Sequence, residues 1–259
     1  MMESQAAQSM AANFKAYAEF YDNLSFGVMS FIPVGTRSIL SLDTYLMSSM
    51  ASTLKSMAML VTAGSLNDAY ALARKLYDAA LVGTYIALYL SKNAEPGKPP
   101  LEHIDGWITG TKALPRTGVI AKYVDAAVEL APVRPCLGQL DYAGIRERCN
   151  DHTHHNFLTH LMLNDGRVRI KSREQWMAQL GSDTLDIIVL HLAYTFCLGG
   201  HNMMSSDYTD ALDVGMTPEY GSEDWVAPYV QSFLTDRVEP RCPGLIAVLR
   251  EETGMELEG

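Results

Sequence analysis

The sequence has little positive charge for its length. Among 259 residues, 20 lysines and arginines stand against 30 aspartates and glutamates, so the formal net charge is −10. This balance argues against a general coat for nucleic acids or anionic membranes, because long-range electrostatics would repel phosphate groups. A local basic site is still compatible with it.

Closely spaced cysteines and long apolar runs are also missing. The four cysteines, at positions 136, 149, 197 and 242, form no C-x-x-C pair, which gives no support to zinc-ribbon or thioredoxin-type motifs. We expect reduced thiols in a cytoplasmic protein. The N-terminus shows no basic start followed by an apolar run, so no signal peptide is predicted. The most apolar run, residues 79–90, is shorter than the roughly 20 residues of a membrane span and indicates a buried helix.

Apolar residues recur at spacings of three and four over most of the chain, which predicts helices. We predict a first helix over residues 3–24, a second over about 37–63 and a third over about 66–91. The third is apolar nearly all round after Leu76, so we expect it at the centre of a bundle.

Local signals mark the start of that third helix. Gly64 is a plausible end for the second helix, and Ser65-Leu66-Asn67-Asp68 resembles a capping box for the third. Arg74 and Asp78 lie four residues apart and are spaced to pair on one face.

Further helices are predicted over about 119–130, from near 137 to 163, and over 183–198, whereas the alternation in 167–171 is typical of a short strand. The fold class is therefore all-α, a bundle of six to eight helices with long central helices and one β excursion near 167–171. We expect one helical domain over 1–202 and, packed on it, an acidic C-terminal extension, 203–259, with one or two helices.

Titratable chemistry is concentrated in residues 149–160, which hold four of the seven histidines. On a continuous helix, His152 and His155 share one face, and Asp151 and His155 share another. Imidazole and carboxylate at one-turn spacing can ligate a divalent metal, so one hypothesis is a metal-dependent hydrolase at these three residues. The alternative is that the histidines face solvent or form hydrogen bonds within the bundle.

A second hypothesis pairs Arg148 with His154. A histidine can take the proton from a ribose 2′-hydroxyl, and an arginine can stabilise the charge that develops on the phosphate. RNA cleavage by this route needs no metal or other cofactor. Because six residues turn a helix by about 240°, a bent helix or a second subunit would have to bring the two side chains together.

Two stretches resemble helices of HEPN-like proteins. Residues 63–79, AGSLNDAYALARKLYDA, look like the A-x-x-L-x-R-x-L-x-E pattern of a central HEPN helix, and residues 150–156, NDHTHHN, are similar to the histidine element of a later helix. Arg148 and His154 fit the signature of an arginine followed after four to six residues by a histidine. The resemblance covers roughly residues 40–200.

The resemblance implies a helical bundle that forms a homodimer with the Arg–His motifs facing each other. Many HEPN proteins are ribonucleases of toxin or defence systems, and others only bind RNA or partner proteins. It implies that Arg148 stabilises phosphate, that His154 acts as the base, and that Asn150 and His155 orient them. Asp78 stands where glutamate is usual, and this departure, with the acidic net charge, favours a third hypothesis, a non-enzymatic interaction module.

A basic run follows the histidines. Its side chains could grip the phosphates of RNA beside the Arg–His pair, or they could belong to a solvated edge strand whose charges prevent aggregation. The run consists of Arg167, Arg169, Lys171 and Arg173.

Overall fold

The structure, a computed structural model, describes residues 2–31, 42–93, 102–165 and 170–259. About three quarters of these residues are helical, and no strand occurs among them. The all-α prediction is therefore confirmed. Of the expected β excursion, residues 167–169 lie outside the described ranges, and Ile170 and Lys171 are not in a strand.

Twelve α-helices occur in the described ranges, more than the six to eight expected. The expected number was too low because helices of four to seven residues show no periodic pattern in the sequence. The twelve helices are α1 (Met2–Phe31), α2 (Leu42–Ala63), α3 (Leu66–Asn93), α4 (Glu102–Ile108), α5 (Thr117–Asp125), α6 (Arg134–Leu137), α7 (Tyr142–Thr153), α8 (Leu158–Met162), α9 (Arg173–Leu198), α10 (Asp207–Asp213), α11 (Pro228–Phe233) and α12 (Leu245–Thr253). None of them, over the residues described, has the length and apolarity needed to cross a membrane.

The chain forms two compact units. Unit 1 comprises Met1–Asn23, Met47–Ala79 and Leu140–Ile188, and unit 2 comprises Leu24–Leu46, Ala80–Gln139 and Val189–Gly259. Residues 189–259 thus stay together in unit 2, whereas we expected a boundary at residue 202.

Each unit has its own buried apolar side chains. Those of unit 1 with no exposed surface include Phe14, Tyr21, Met50, Leu54, Met57, Leu76, Ile145, Leu180 and Ile187. Those of unit 2 include Leu24, Leu88, Leu130, Phe196, Leu234 and Leu249. Removing such side chains from water is the main stabilising contribution in either unit, roughly 1.5–3 kcal/mol for each large one.

The end of α2 follows its sequence signal. Gly64 adopts φ 85°, and its N–H donates to the Val61 carbonyl at 3.1 Å. The next N–H, of Ser65, donates to the Leu60 carbonyl at 2.8 Å. This pair of bonds is a Schellman motif, which requires the left-handed residue that glycine supplies without strain.

The start of α3 is capped differently from the expectation. The N–H groups of Asn67 and Asp68 donate to Oδ1 of Asn164 at 2.9 and 3.2 Å. Asn164 in turn donates from Nδ2 to Asp68 Oδ1 at 2.8 Å. A side chain almost a hundred residues away therefore caps the N–H groups of the first turn of α3. The sequence predicted Ser65 as the capping residue.

The expected pair on α3 is present. Arg74 Nη2 lies 2.9 Å from Asp78 Oδ1, and the guanidinium lies over the ring of Tyr77, 5.8 Å from its centroid. Burial raises the pKa of Asp78, and the positive charges of Arg74 and Arg146 oppose that rise. The pair is thus a local structural contact of unit 1.

Candidate functional site

The histidine-rich stretch forms two helices, so the single helix expected over residues 137–163 was wrong. α7 ends at Thr153, and α8 begins at Leu158. Between them His155 adopts φ 52°, a left-handed conformation that histidine enters more readily than most residues. The helix face that His152 and His155 were expected to share therefore does not exist.

Arg148 is held by two carboxylates within unit 1. Its Nε and Nη2 donate to Oδ2 and Oδ1 of Asp183 at 2.9 and 2.7 Å, and its Nη1 donates to Asp141 Oδ2 at 3.3 Å. Asp183 is fully buried and also accepts from Gln179 Nε2 at 2.7 Å. The hydrogen bonds to Asp183 raise the pKa of Arg148. This guanidinium fastens α7 to α9.

Two residues near Arg148, Asp141 and Cys149, are structural as well. Asp141 caps α7 by accepting the Gly144 N–H at 2.9 Å, and this bond, with Arg148, lowers the pKa of Asp141. Burial and the charge of Asp183 raise the pKa of Cys149 to about 12. Cys149 is fully buried and stays a thiol at neutral pH, as expected for a structural cysteine.

Three of the rings in this part of unit 1 form a stack. The rings of Tyr70 and His152 lie 3.8 Å apart at 3°, and those of His152 and His160 lie 3.9 Å apart at 21°. Trp176 presents its plane nearly at right angles to all three, with centroids 5.1 to 6.1 Å away. The stack packs α3, α7, α8 and α9 together within unit 1.

One amide holds two of the histidines. Asn67 Nδ2 lies 3.2 Å from His155 Nδ1, and Asn67 Oδ1 lies 2.9 Å from His152 Nδ1. In this orientation the amide donates to His155 and accepts from His152, so His152 carries its hydrogen on Nδ1. The two imidazoles therefore face opposite ends of one amide and do not converge on a common point.

His152 is an uncharged imidazole inside unit 1. Burial, followed by the nearby His160, lowers its pKa to about 3, although Asp151 opposes the shift. Its Nε2 is buried and has no hydrogen-bond partner among the residues described. Across the described ranges no group of three or more histidine, cysteine, aspartate or glutamate side chains is placed to hold a metal ion.

The other residues of the expected Arg–His site are His154, Asn150 and His155. His154 is exposed at the C-terminus of α7, where its backbone N–H donates to the Asn150 carbonyl at 2.9 Å. No hydrogen bond links Arg148 to the side chains of His154, Asn150 or His155 in the part of the chain that is described. Arg148 therefore forms no hydrogen-bonded group with these three residues.

The structure describes two residues of the basic run, Lys171 and Arg173. Arg167 and Arg169 lie outside the described ranges, and Lys171 is exposed. Arg173 is buried, and it donates to the Leu163 carbonyl at 3.2 Å and to the Gly64 carbonyl. Arg173 thus satisfies two loop carbonyls instead of presenting its charge to solvent.

An apolar surface on α8 is the feature that the sequence reasoning missed. Phe157, Leu158 and Leu161, which we call the α8 surface, are between 50 and 73 % exposed. Beneath them the buried His160 packs against the edge of Phe157, with ring centroids 5.2 Å apart. The sequence does contain three large apolar residues next to the histidines. On one continuous helix they would be part of an amphipathic helix, so the sequence alone did not indicate a separate surface.

The fold and the site thus define an all-α protein in which a histidine–aromatic stack and an ion pair between Arg148 and the buried Asp183 join the helices of unit 1, with an exposed apolar surface on α8 next to the stack. Comparison of the chain with protein-family models, with curated proteins and with solved structures finds no match.

Proposed function

We propose that this protein is a non-enzymatic interaction module that associates with a second copy of itself through the α8 surface. The observation that carries the proposal is the exposure of Phe157, Leu158 and Leu161 on a short helix that contributes only His160 to the buried side chains. Large apolar side chains grouped on a surface are characteristic of interaction sites.

The surface is held in place from below. Phe157 contacts His160, whose Nδ1 lies 3.1 Å from the Asp151 carbonyl and whose ring stacks on His152. Asn156 donates from Nδ2 to Asp151 Oδ1 at 2.6 Å and closes the turn before α8. A preorganised surface loses little conformational entropy on binding, which favours association.

A second copy of the chain is the occupant that the charges favour. Residues 154–164, HHNFLTHLMLN, contain no aspartate, glutamate, lysine or arginine, although the whole chain carries −10. Two such segments meet without repulsion between like formal charges, as a two-fold interface requires. Because the segment is smaller than the roughly 20–30 residues per side of a standard interface, we expect reversible dimerisation.

The absence of enzymatic activity is argued from Arg148. A catalytic arginine must be able to meet the phosphate, but all three donor groups of Arg148 point to carboxylates. Separating it from Asp183 would leave a buried carboxylate unpaired, which costs about 3–5 kcal/mol. We therefore expect Arg148 to build unit 1 and not to act on RNA.

The HEPN-like resemblance is kept as part of the proposal, since it supplies an independent expectation of dimers. Its catalytic implication is the competing hypothesis, with RNA bound or cleaved at Arg148 and His154. The metal-dependent alternative at His152, His155 and Asp151 competes as well. The two experiments below separate dimerisation from both.

The dimer is tested by sedimentation velocity over a range of protein concentrations. Wild type should pass from monomer to dimer as concentration rises, and Phe157→Ser/Leu158→Ser should stay monomeric. Met59→Ser is a matched control, because Met59 is 72 % exposed in unit 1 and lies on α2. A wild type that stays monomeric throughout, or a dimer that survives in the double variant, overturns the proposal.

Enzymatic activity is tested by RNA cleavage with and without a chelator, for wild type and for His154→Ala at equal folded fraction. We expect no cleavage above background in any sample. Cleavage in chelator that His154→Ala abolishes would establish the Arg–His nuclease instead. Cleavage that the chelator abolishes would establish the metal-dependent alternative.

A further inference from the structure

Residues 204–226 of unit 2, which we call the α10 excursion, are joined at their two ends. Met204 and Val226 form an isolated antiparallel bridge, and the Ser205 N–H donates to the Trp225 carbonyl at 2.7 Å. A segment whose ends are tied together in this way presents its middle in a defined position, as binding loops on rigid scaffolds do.

The helix within the α10 excursion has an ordered end. Gly215 adopts φ 72°, and its N–H donates to the Leu212 carbonyl at 3.0 Å. The Met216 N–H donates to the Ala211 carbonyl at 2.8 Å. These two bonds form a second Schellman motif, so backbone hydrogen bonds fix α10 even though core packing does not.

Apolar side chains of the α10 excursion face solvent. α10 contributes no buried residue, and the large apolar side chains Leu212, Val214, Met216 and Tyr220 are between 50 and 100 % exposed. A surface helix normally turns its apolar stripe toward the core. Here Leu212 on the helix and Val214, Met216 and Tyr220 after it face solvent instead, which is the pattern of an interaction surface.

The charged residues of the α10 excursion itself have one sign. The α10 excursion contains six carboxylates and no lysine or arginine, and within the described ranges none of the six forms an ion pair. They are Asp207, Asp210, Asp213, Glu219, Glu223 and Asp224. A positively charged partner would be attracted to this concentration of negative charge.

We propose that the α10 excursion is a docking surface for a basic amphipathic segment of another protein. Leu212, Val214 and Met216 would receive apolar side chains of that segment, spaced three and four residues apart as on one face of a helix. The surrounding carboxylates would pair with its lysines and arginines.

The same charges decide against other occupants. Nucleic acids and anionic lipid headgroups would meet six carboxylates and no lysine or arginine of the α10 excursion, which is repulsive at contact distance. A second copy of the α10 excursion would bring two equally acidic surfaces together. This interaction is thus independent of the dimer proposed above, whose surface carries no formal charge.

The test measures binding of fluorescent synthetic peptides to the full-length protein by anisotropy. The probe is an amphipathic leucine–lysine helix. Serine in place of leucine gives a peptide with charge alone, and glutamate in place of lysine keeps the apolar side chains but reverses the sign of the charge. We expect the leucine–lysine peptide to bind, more weakly at higher salt, and the other two to bind at least about tenfold more weakly.

Two variants of the α10 excursion localise the binding. Leu212→Ser/Met216→Ser removes apolar contacts, and Asp210→Asn/Asp213→Asn removes two charges, so each should weaken binding about fivefold. Glu251→Gln/Glu252→Gln is the control for net charge, because both glutamates are exposed on α12, and it should change affinity by less than about twofold. Circular dichroism checks that every variant is folded.

Equal weakening in the control would show unspecific attraction to an acidic protein and overturn the proposal. Failure of the wild type to bind the leucine–lysine peptide would overturn it too. Both results are independent of the sedimentation experiment, so either proposal can fail without the other.

Discussion

The histidine segment of unit 1 and the α10 excursion of unit 2 use their polar residues in opposite ways. In residues 148–164, the side chains with the richest chemistry are engaged inside unit 1. Arg148 pairs with Asp183, and His152 lies between Tyr70 and His160. In the α10 excursion, the carboxylates and the large apolar side chains both face solvent.

This difference shows that a concentration of titratable residues is a poor guide to a site until their partners are known. Histidine, arginine and aspartate can also supply hydrogen-bond partners for one another where helices pack closely. What the outward-facing surfaces on α8 and in the α10 excursion share is exposed large apolar side chains. Four predictions test this contrast, three in the histidine segment and one in the α10 excursion.

The largest effect is expected from Arg148→Met. This change leaves Asp183 buried without its cation, so we expect the free energy of unfolding to fall by about 3 kcal/mol or more. The double variant Arg148→Met/Asp183→Leu removes both charges and should recover most of the loss. Urea denaturation measures both, with the midpoint and the slope fitted separately.

A control for this prediction is Asp141→Asn. The Asp141 side chain is mostly exposed and makes the longer bond to Arg148, at 3.3 Å, so the cost should be about 1 kcal/mol. If Arg148→Met is as stable as the wild type, Arg148 is not a structural residue and the contrast between the two regions fails.

The second prediction concerns acid. Burial lowers the pKa of His152 to about 3 and that of His191, in unit 2, to about 4. The unfolded chain binds a proton at each ring below the ordinary pKa of 6.5, whereas the folded chain does not until near pH 4. Stability is therefore lost as pH falls from about 6.5 to 4, by about 1.4 kcal/mol per pH unit for each histidine.

The variant His152→Phe keeps a ring in the stack and removes one of the two protonation steps. The free energy of unfolding, measured by urea denaturation at several pH values, should then decrease less steeply with acid, by about 1.4 kcal/mol per pH unit. His191→Phe should remove the other share. An unchanged slope in His152→Phe would show that His152 already carries its proton in the folded protein, contrary to its burial.

Short-range patterns in the sequence were enough for much of the fold. The end of α2 at Gly64 and the pair of Arg74 with Asp78 depend on residues at most five positions apart. The apolar periodicity of the long helices was likewise sufficient for the all-α class. These features could be predicted because propensity, capping and one-turn pairing act locally.

The candidate site was not predictable in the same way, because its partners are distant in sequence. Asp183 is 35 residues from Arg148, and Asn67 is 85 residues from His152. Asn164 caps the start of α3 by accepting from the N–H of Asn67, which is 97 residues earlier in the chain. The break at His155 depends on the same contacts, since a continuous helix would have fitted the local pattern equally well.

The third prediction tests that break. His155 is in the left-handed region at φ 52°, so His155→Val should lower the free energy of unfolding by about 1–2 kcal/mol, because a β-branched side chain is strained there. His155→Gly removes the strain and loses one hydrogen bond to Asn67, so it should stay within about 1 kcal/mol of wild type. A valine variant as stable as the glycine variant would mean that the segment can form one continuous helix.

The smallest effect is expected in the α10 excursion. Leu212→Ser replaces a side chain that is half exposed on a helix with no buried residue, so the free energy of unfolding should change by less than about 0.5 kcal/mol. Leu249→Ala is the matched control within unit 2, because Leu249 is fully buried on α12 and its truncation should cost about 2–5 kcal/mol. A large loss in Leu212→Ser would place this leucine in the packed interior of unit 2. A small one, together with weaker peptide binding, means that its apolar surface is available for a partner.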